Sequence, residues 1–321
     1  MHASLTPVRI RVLAVLVILG FGGIGVALAS GGDPPRRRVT VAPTPTATST
    51  TAATTTVTKA KVTTPTTVTT TTIAAPTTTR TPTTSPPPPT AALPPPTNGV
   101  VGSLSGRTIV IDPGHDGGNY AHTSEISRPI FIGTQTRACD TTGTATNDGY
   151  SEAAYNLDVA LRLRDVLQAA GANVVMTRTT NDGWGPCIDE RAAIGNRAHA
   201  DAAISIHADG GPSGGRGFHV LMPGLVAGYT DDIYAASHTL GVDVHDAFLA
   251  TGMPTSTYYA TGGYAERTDL GGLNLSNVPK VFVETGNMRN ATDAALLESA
   301  DFRQRAAQAL AVGIADYLSG R

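Results

Sequence analysis

The sequence predicts an α/β fold: a single three-layer domain in which helices cover both faces of a largely parallel sheet. From about residue 104, short runs of β-branched and other apolar residues alternate with amphipathic stretches of helical length. Strands that alternate with helices are typical of parallel sheets with both faces covered. Residues 104–321 are numerous enough to bury one such core, and no internal repeat indicates a solenoid.

Five apolar runs have the length and composition of buried strands. They lie at residues 108–111, 173–177, 202–206, 218–222 and 280–283. Helices are predicted where apolar residues recur at helical spacing. These helices cover residues 152–170, with Gly171 at the end, and residues 191–200, 231–249 and 293–318.

The beginning of the chain predicts export. Arg9 and Arg11 precede an unbroken apolar stretch over residues 12–29, and a basic flank before an apolar run is typical of a signal peptide. The sequence Ala-Leu-Ala at 27–29 fits a cleavage site, but the stretch is also just long enough to span a membrane. Residues 1–30 are therefore either a signal peptide or an N-terminal membrane anchor, and we expect no other contact with a membrane.

Residues 31–103 are predicted to be a disordered linker. They consist mainly of Thr, Pro and Ala, so they cannot bury enough apolar surface to offset the entropy of ordering. Their proline runs favour an extended conformation, which suits either a spacer or a glycosylated stalk.

The distribution of charge argues against nucleic acid as a partner. Residues 1–100 hold eight of the 23 Lys and Arg residues but one of the 25 Asp and Glu residues, so the predicted domain is net acidic. Binding to phosphates needs clustered Lys and Arg. No pattern indicates an obligate dimer interface, and we expect a monomer.

The chain has two cysteines, Cys139 and Cys187. An even pair in an exported protein is usually a disulfide, and closing a loop of this length stabilises a protein by about 3–4 kcal/mol. The alternative is two unrelated buried thiols. No CxxC spacing occurs, which excludes a zinc ribbon.

Three polar residues directly follow predicted strands: His115, His207 and Glu284. Because ligand sites of open α/β sheets lie beyond the carboxyl ends of the strands, we expect all three at one edge. Each alone could equally be a cap or a surface residue. Glu152, at the start of a predicted helix, could reach the same edge or simply complement the helix dipole. Catalytic zinc typically takes three such nitrogen and oxygen ligands and keeps a fourth position for water.

Five segments, taken in order, resemble the zinc-dependent N-acetylmuramoyl-L-alanine amidases. They are Ile-Asp-Pro-Gly-His at 111–115, Glu152 at a helix start, Thr-Arg at 177–178, Ile-Ser-Ile-His-Ala-Asp at 204–209 and Val-Phe-Val-Glu-Thr-Gly at 281–286. The resemblance runs from about residue 106 to the C-terminus. Each segment alone is weak evidence for this family, whereas the ordered set of five is highly specific for it.

The resemblance implies that His115, Glu152 and His207 bind zinc and that Glu284 is the catalytic carboxylate, which takes a proton from water and passes it to the leaving nitrogen. It implies hydrolysis of the amide bond between N-acetylmuramic acid and L-alanine in peptidoglycan or muramyl peptides, in the cell wall or periplasm. Two alternatives stay open: a non-catalytic peptidoglycan-binding regulator, and a zinc carboxypeptidase that cuts within the stem peptide.

Further expectations concern the surroundings of the site. Arg267 is a candidate partner for a stem-peptide carboxylate, and Asp112 and Asp209 would either orient the imidazoles or cap loops. Residues 116–151 form a long insertion that is expected to border the cleft. Other histidines, His219 among them, are expected at the surface or on helix faces.

Overall fold

A computed structural model describes residues 101–320. The predicted signal peptide or anchor (1–30) and almost all of the predicted linker (31–103) lie outside the described residues. Among the residues that are described, no helix is both long and apolar enough to cross a membrane.

The described residues form strands and helices in the following order along the chain. The strands are β1 (Thr108–Pro113), β2 (Pro129–Phe131), β3 (Thr136–Ala138), β4 (Asn173–Met176), β5 (Ala202–Asp209), β6 (His219–Pro223), β7 (Tyr264–Arg267) and β8 (Lys280–Asn287). The helices are α1 (Thr123–Ile126), α2 (Glu152–Ala169), α3 (Ile188–Ala198), α4 (Tyr234–Leu249), α5 (Gly271–Asn274), α6 (Ala291–Leu297) and α7 (Ala300–Ser319), with a 3-10 turn at Asn119–Ala121.

Six of these strands form one sheet in the order β4-β1-β5-β8-β6-β7. The first four are parallel to one another, so the carboxyl ends of β1, β5 and β8 meet at the same edge. At the other side, β6 runs antiparallel to β8 and parallel to β7. The prediction of a largely parallel sheet is confirmed, with two strands that run in the opposite direction.

Helices cover both faces of the sheet, as predicted. On one face α2, α4 and α7 pack over a core that includes Ile109 and Ile111 of β1. Successive side chains of a strand point to opposite faces. Val110 and Ala203 therefore belong to a second, smaller cluster on the face where α3 and α5 pack.

Several predicted boundaries differ from the structure. β5 and β8 continue beyond the predicted apolar runs, so His207 and Glu284 lie within the strands rather than after them. The prediction of a single helix over 293–318 is wrong, because the helix is interrupted between α6 and α7. The guanidinium of Arg303 donates to the carbonyl oxygens of Leu297 and Glu298 there, at 3.1 and 2.7 Å, and so satisfies acceptors that the broken helix leaves open.

The insertion over residues 116–151 has a structure of its own that sequence patterns do not predict. It carries the two-stranded hairpin β2–β3, and a disulfide joins Cys139, which directly follows β3, to Cys187, which precedes α3. The amide of Asn274 donates to the carbonyl of Ile132, at 2.9 Å, and thereby ties the hairpin to α5. The insertion is thus fixed against the domain beside the edge where β1, β5 and β8 end.

Candidate metal centre

Three side chains from three different elements converge at the carboxyl edge of the sheet. His115 follows β1, Glu152 is the first residue of α2, and His207 lies near the end of β5. Glu152 Oε1 is 2.9 Å from His207 Nδ1 and 3.4 Å from His115 Nε2. One ligand atom from each residue lies within 4.8 Å of the others. The edge predicted from the sequence therefore does bring these three residues together.

The three donors fit a zinc ion. Two imidazole nitrogens and a carboxylate oxygen are typical catalytic zinc ligands, and donor atoms around a tetrahedral zinc lie about 3.3 Å apart. The observed separations of 2.9 and 3.4 Å match that spacing. His115 itself adopts a left-handed backbone conformation, with φ of 57°, which is uncommon for a residue with a side chain and typical of functional sites.

Two glycines make room for the side chains of the site, because a larger residue at either position would collide with them. A Cβ atom on Gly114 would lie 2.0 Å from His207 Cε1. On Gly143 it would lie 2.8 Å from both Glu152 Oε2 and His115 Cδ2, and φ at Gly143 is +72°. The convergence of the three ligands depends on the absence of side chains at both positions.

The electrostatics of the group favour a cation. Burial alone would lower the pKa of His115, but the carboxylates of Glu152 and Asp140 outweigh burial and raise that pKa to about 10. Burial alone would likewise raise the pKa of Glu152, but His115 and His207 outweigh it and hold the pKa well below its usual range. A buried site that holds a charged carboxylate between two imidazoles stabilises positive charge, whether proton or metal.

Glu284 lies beside the three ligands. It is the register partner of His207 on the neighbouring parallel strand. Burial raises the pKa of Glu284 well above its usual range, and the nearby carboxylates of Glu152 and Asp209 raise it further. Its Oε2 atom is buried and has no hydrogen-bond partner among the described residues. A carboxylate oxygen without a partner, next to a candidate metal centre, is available to accept a proton.

The sequence profile of the N-acetylmuramoyl-L-alanine amidase family matches residues 109–316, a span that contains all of these side chains. The chain belongs to this family. It is 41% identical over 221 residues to the N-acetylmuramoyl-L-alanine amidase Rv3717 of Mycobacterium tuberculosis, in a match that covers 68% of this chain and 88% of that protein.

Solved structures of amidases agree with this assignment. The N-acetylmuramyl-L-alanine amidase Ami1 from Mycobacterium smegmatis is 41% identical, with a TM-score of 0.64 over 68% of this chain and 100% of that one. Ami1 from Mycobacterium abscessus, in its apo form, is also 41% identical, with a TM-score of 0.63 over 67% of this chain and 100% of that one. The three-layer fold is therefore that of the amidases.

The carboxylate next to His115 in this amidase is not one of those that the sequence suggested. Asp112 accepts hydrogen bonds from Lys280 Nζ at 2.8 Å and Arg191 Nη1 at 2.9 Å. Asp209 accepts one from Tyr258 at 2.9 Å. The carboxylate within hydrogen-bond distance of His115 Nδ1 is instead that of Asp140, at 3.0 Å, which comes from the insertion. Its position directly after a cysteine of the predicted disulfide was the one signal in the sequence.

A cavity of about 370 Å³ opens beside the candidate metal ligands of the amidase. His115 and His207 lie in its wall together with Arg137 and Arg267. Arg267 donates to Asp269 through Nε and Nη2, at 2.6 and 2.9 Å, and Arg137 donates to the same carboxylate. These three side chains together carry one net positive charge. The predicted carboxylate partner Arg267 thus lies in the same cavity as the ligands.

The expectation that His219 is a surface or helix residue is wrong. It is 2% exposed and lies on β6 directly opposite Glu284 in the antiparallel register. Burial lowers the pKa of His219 to about 4, so its imidazole is neutral at pH 7. The signal was available, because His219 falls inside the predicted strand over 218–222.

Proposed function

We propose that this chain is a zinc-dependent amidase that hydrolyses the bond between N-acetylmuramic acid and L-alanine in peptidoglycan. The observation that carries the proposal is the convergence of His115, Glu152 and His207 beside Glu284 in a member of the amidase family. A non-catalytic binding protein would have no need of a free carboxylate beside a complete set of metal ligands.

Each side chain has a separate task. His115 would hold the zinc through Nε2, His207 through Nδ1, and Glu152 through a carboxylate oxygen, because these are the atoms that face one another. Zinc supplies Lewis acidity: it lowers the pKa of water towards 7 and polarises the scissile carbonyl. Glu284 Oε2 accepts the proton of the attacking water and then delivers it to the leaving alanine nitrogen.

The pKa of Glu284 suits a group that must accept a proton and then give it up. Burial and two neighbouring carboxylates raise that pKa, which makes the carboxylate a stronger base than an exposed glutamate. Positive charge held by the three ligands acts in the opposite direction and lowers the pKa of Glu284.

Arg267 binds a carboxylate of the stem peptide. Its guanidinium lies in the cavity of the metal ligands and donates to Asp269 and, through Nη1 at 3.1 Å, to the hydroxyl of Tyr259. Replacing Arg267 with Ala removes a charge-assisted hydrogen bond worth about 1.5–3 kcal/mol, so KM should rise about tenfold to hundredfold. Asp269 keeps Arg137 as its counter-ion in this variant. An unchanged substrate affinity would dismiss the assignment.

Mass spectrometry of a muramyl peptide incubated with the full chain tests the reaction. We expect a free stem peptide that begins with L-alanine, and no product once zinc is chelated. Glu284→Gln should reduce turnover at least about 100-fold, since positioned acid–base groups contribute about 10²–10⁴-fold, while zinc remains bound. Glu190→Gln, which changes an exposed carboxylate paired with Arg197, is the matched control.

The other outcomes of that experiment identify the two alternatives. A shortened peptide still attached to muramic acid would indicate a carboxypeptidase. Intact substrate in the presence of bound zinc would indicate a peptidoglycan-binding regulator. Either result contradicts the proposed reaction.

Residues 1–30 direct export to the cell wall. Residues 31–103 are a spacer between the catalytic domain and either the membrane anchor or the signal-peptide cleavage site. The apolar stretch over 12–29 supports this assignment. N-terminal sequencing of protein recovered outside the cytoplasm distinguishes the two forms: a new terminus after residue 29 indicates a cleaved signal peptide, and an intact terminus in the membrane fraction indicates an anchor. Recovery in the cytoplasm alone would contradict export.

A further inference from the structure

We propose that Asp140 is a positioning residue for the zinc ligand His115, and that the Cys139–Cys187 disulfide holds Asp140 in place. The inference rests on the proposed zinc site and extends it to the insertion. The amidase would thus set its metal affinity partly through a segment that contributes no ligand itself.

The first step is the contact between Asp140 and His115. Asp140 Oδ1 lies 3.0 Å from His115 Nδ1, and the carbonyl oxygen of Thr141 lies 3.1 Å from the same nitrogen. These two nearest contacts are acceptors, and the hydroxyl of Thr141 lies farther away, at 3.3 Å. The two acceptors favour the tautomer in which Nδ1 carries the proton and Nε2 presents its lone pair. Nε2 is the atom that faces Glu152, at 3.4 Å. Asp140, together with the carbonyl of Thr141, therefore favours the tautomer and ring orientation that a metal at this place requires.

The second step is that Asp140 is itself tightly held. It is 7% exposed. Its Oδ2 accepts a hydrogen bond from Arg191 Nη2 at 3.1 Å, and its Oδ1 accepts one from the backbone amide of Thr141 at 2.7 Å. A carboxylate bridging a buried guanidinium and an imidazole has few alternative positions, which is the property that a positioning residue needs.

The third step is the disulfide. Cys139 directly precedes Asp140, and Cys187 directly precedes α3, the helix that carries Arg191. The bond therefore links the two segments whose side chains pair, and the carbonyl of Cys139 also accepts a hydrogen bond from the amide of Ile188 at 2.8 Å. Without the disulfide, the segment around Asp140 is held to α3 only by noncovalent contacts, and the carboxylate should occupy its place beside His115 less often.

The arrangement allows the role of Asp140 to be separated from a merely structural one. Arg191 also pairs with Asp112, at 2.9 Å, so Asp140→Asn leaves the buried guanidinium with a counter-ion, and Asn keeps the size of the side chain. Zinc affinity is then the decisive measurement, because a structural role would change thermal stability without changing the metal affinity of the folded protein.

The experiment compares four forms of the full chain with the wild type, by competition for zinc against a chromophoric chelator. The variants are Asp140→Asn, the pair Cys139→Ser/Cys187→Ser, their combination, and the control Asp165→Asn, whose carboxylate is 66% exposed. Partners of metal-bound histidines typically contribute about 10–100-fold to metal affinity, so Asp140→Asn should weaken zinc binding by that factor. The control should not change it.

The combination of variants tests the disulfide. Removing the cysteines should weaken zinc binding by less than Asp140→Asn does, and the combined variant should bind zinc about as weakly as Asp140→Asn alone, because both changes act on the same contact. If the loss of zinc affinity in the combined variant equals the sum of the losses in the two separate variants, the role of the disulfide is overturned. Wild-type zinc affinity in Asp140→Asn would overturn the role of Asp140.

A second measurement needs no variant. In the ¹⁵N NMR spectrum of the zinc-loaded wild type, the His115 imidazole should carry its proton on Nδ1 and bind metal through Nε2, and the reverse assignment would overturn the inference. A failure of the proposed function would be recognised by a different experimental result. In that case the wild type itself would bind no zinc, or would bind zinc and leave the muramyl peptide intact.

Discussion

Replacing Gly114 with Ala should disable the metal centre while leaving the fold intact. The added Cβ atom would lie 2.0 Å from His207 Cε1 and 2.4 Å from Nε2. Carbon atoms in contact normally stay about 3.5–4.0 Å apart, so the imidazole must move by roughly 1.5 Å. The backbone of Gly114 is not in the left-handed region that disfavours side chains, and the strain therefore falls on His207.

The size of the effect follows from that displacement. Misplacing a catalytic group by about 1 Å can cost about 10²-fold in rate, so we expect kcat/KM to fall at least 100-fold, which corresponds to about 2.7 kcal/mol. Zinc affinity, measured by chelator competition, should fall in parallel because His207 can no longer face Glu152. Thermal unfolding of zinc-free protein should change little.

The matched control is Gly214→Ala, because a Cβ atom at Gly214 meets nothing within 4 Å. This variant should keep both zinc affinity and activity. If Gly114→Ala also keeps them, His207 does not occupy the position that the structure gives it, and the assignment of His207 as a metal ligand fails.

Two further predictions concern stability. Cys139→Ser/Cys187→Ser should lower the free energy of unfolding by about 3–4 kcal/mol, since the disulfide closes a long loop, and an unchanged melting temperature would contradict this. Asp112→Asn should cost about 3–5 kcal/mol, because Lys280 and Arg191 would lose the carboxylate that they share. Burial raises the pKa of Asp112, but these two cations outweigh burial and lower it. The stabilisation is therefore complete above the unfolded pKa of about 4 and is lost as the pH falls below it. The difference in melting temperature between wild type and Asp112→Asn should shrink in acid, and a constant difference would argue against the ion pairs.

The convergence of His115, Glu152 and His207 was predictable because it depends on features that a sequence displays. His115 and His207 follow apolar runs long enough to be buried strands, and parallel strands end at a common edge. Spacing alone left the role of Glu152 open, since a Glu at a helix start is common. The ordered resemblance to the amidases favours a ligand role, and in the structure Glu152 contacts both imidazoles.

Strand direction and strand ends were less predictable, for physical reasons. A buried run such as 218–222 has the same composition whether its strand is parallel or antiparallel, so the reversal of β6 was not visible. β5 and β8 extend through polar residues because backbone hydrogen bonds between neighbouring strands continue regardless of side-chain polarity. Asp209 and Asn287 are still register partners at the end of that ladder. Hydrophobic patterns therefore end before the strands do.

Asp140 shows where reasoning from neighbouring residues fails. Asp112 and Asp209 were natural candidates to orient the imidazoles because each is close in sequence to a histidine ligand, yet other partners occupy both carboxylates. The carboxylate partner of His115 lies 25 residues away in an insertion. It directly follows Cys139, which is bonded to Cys187, and it pairs with the guanidinium of Arg191 on α3. Neither the disulfide nor the pairing with Arg191 produces a periodic pattern in the sequence. In a segment of this kind, the predicted disulfide is a useful indicator of which side chains reach the site, because it brings the residues beside Cys139 next to α3.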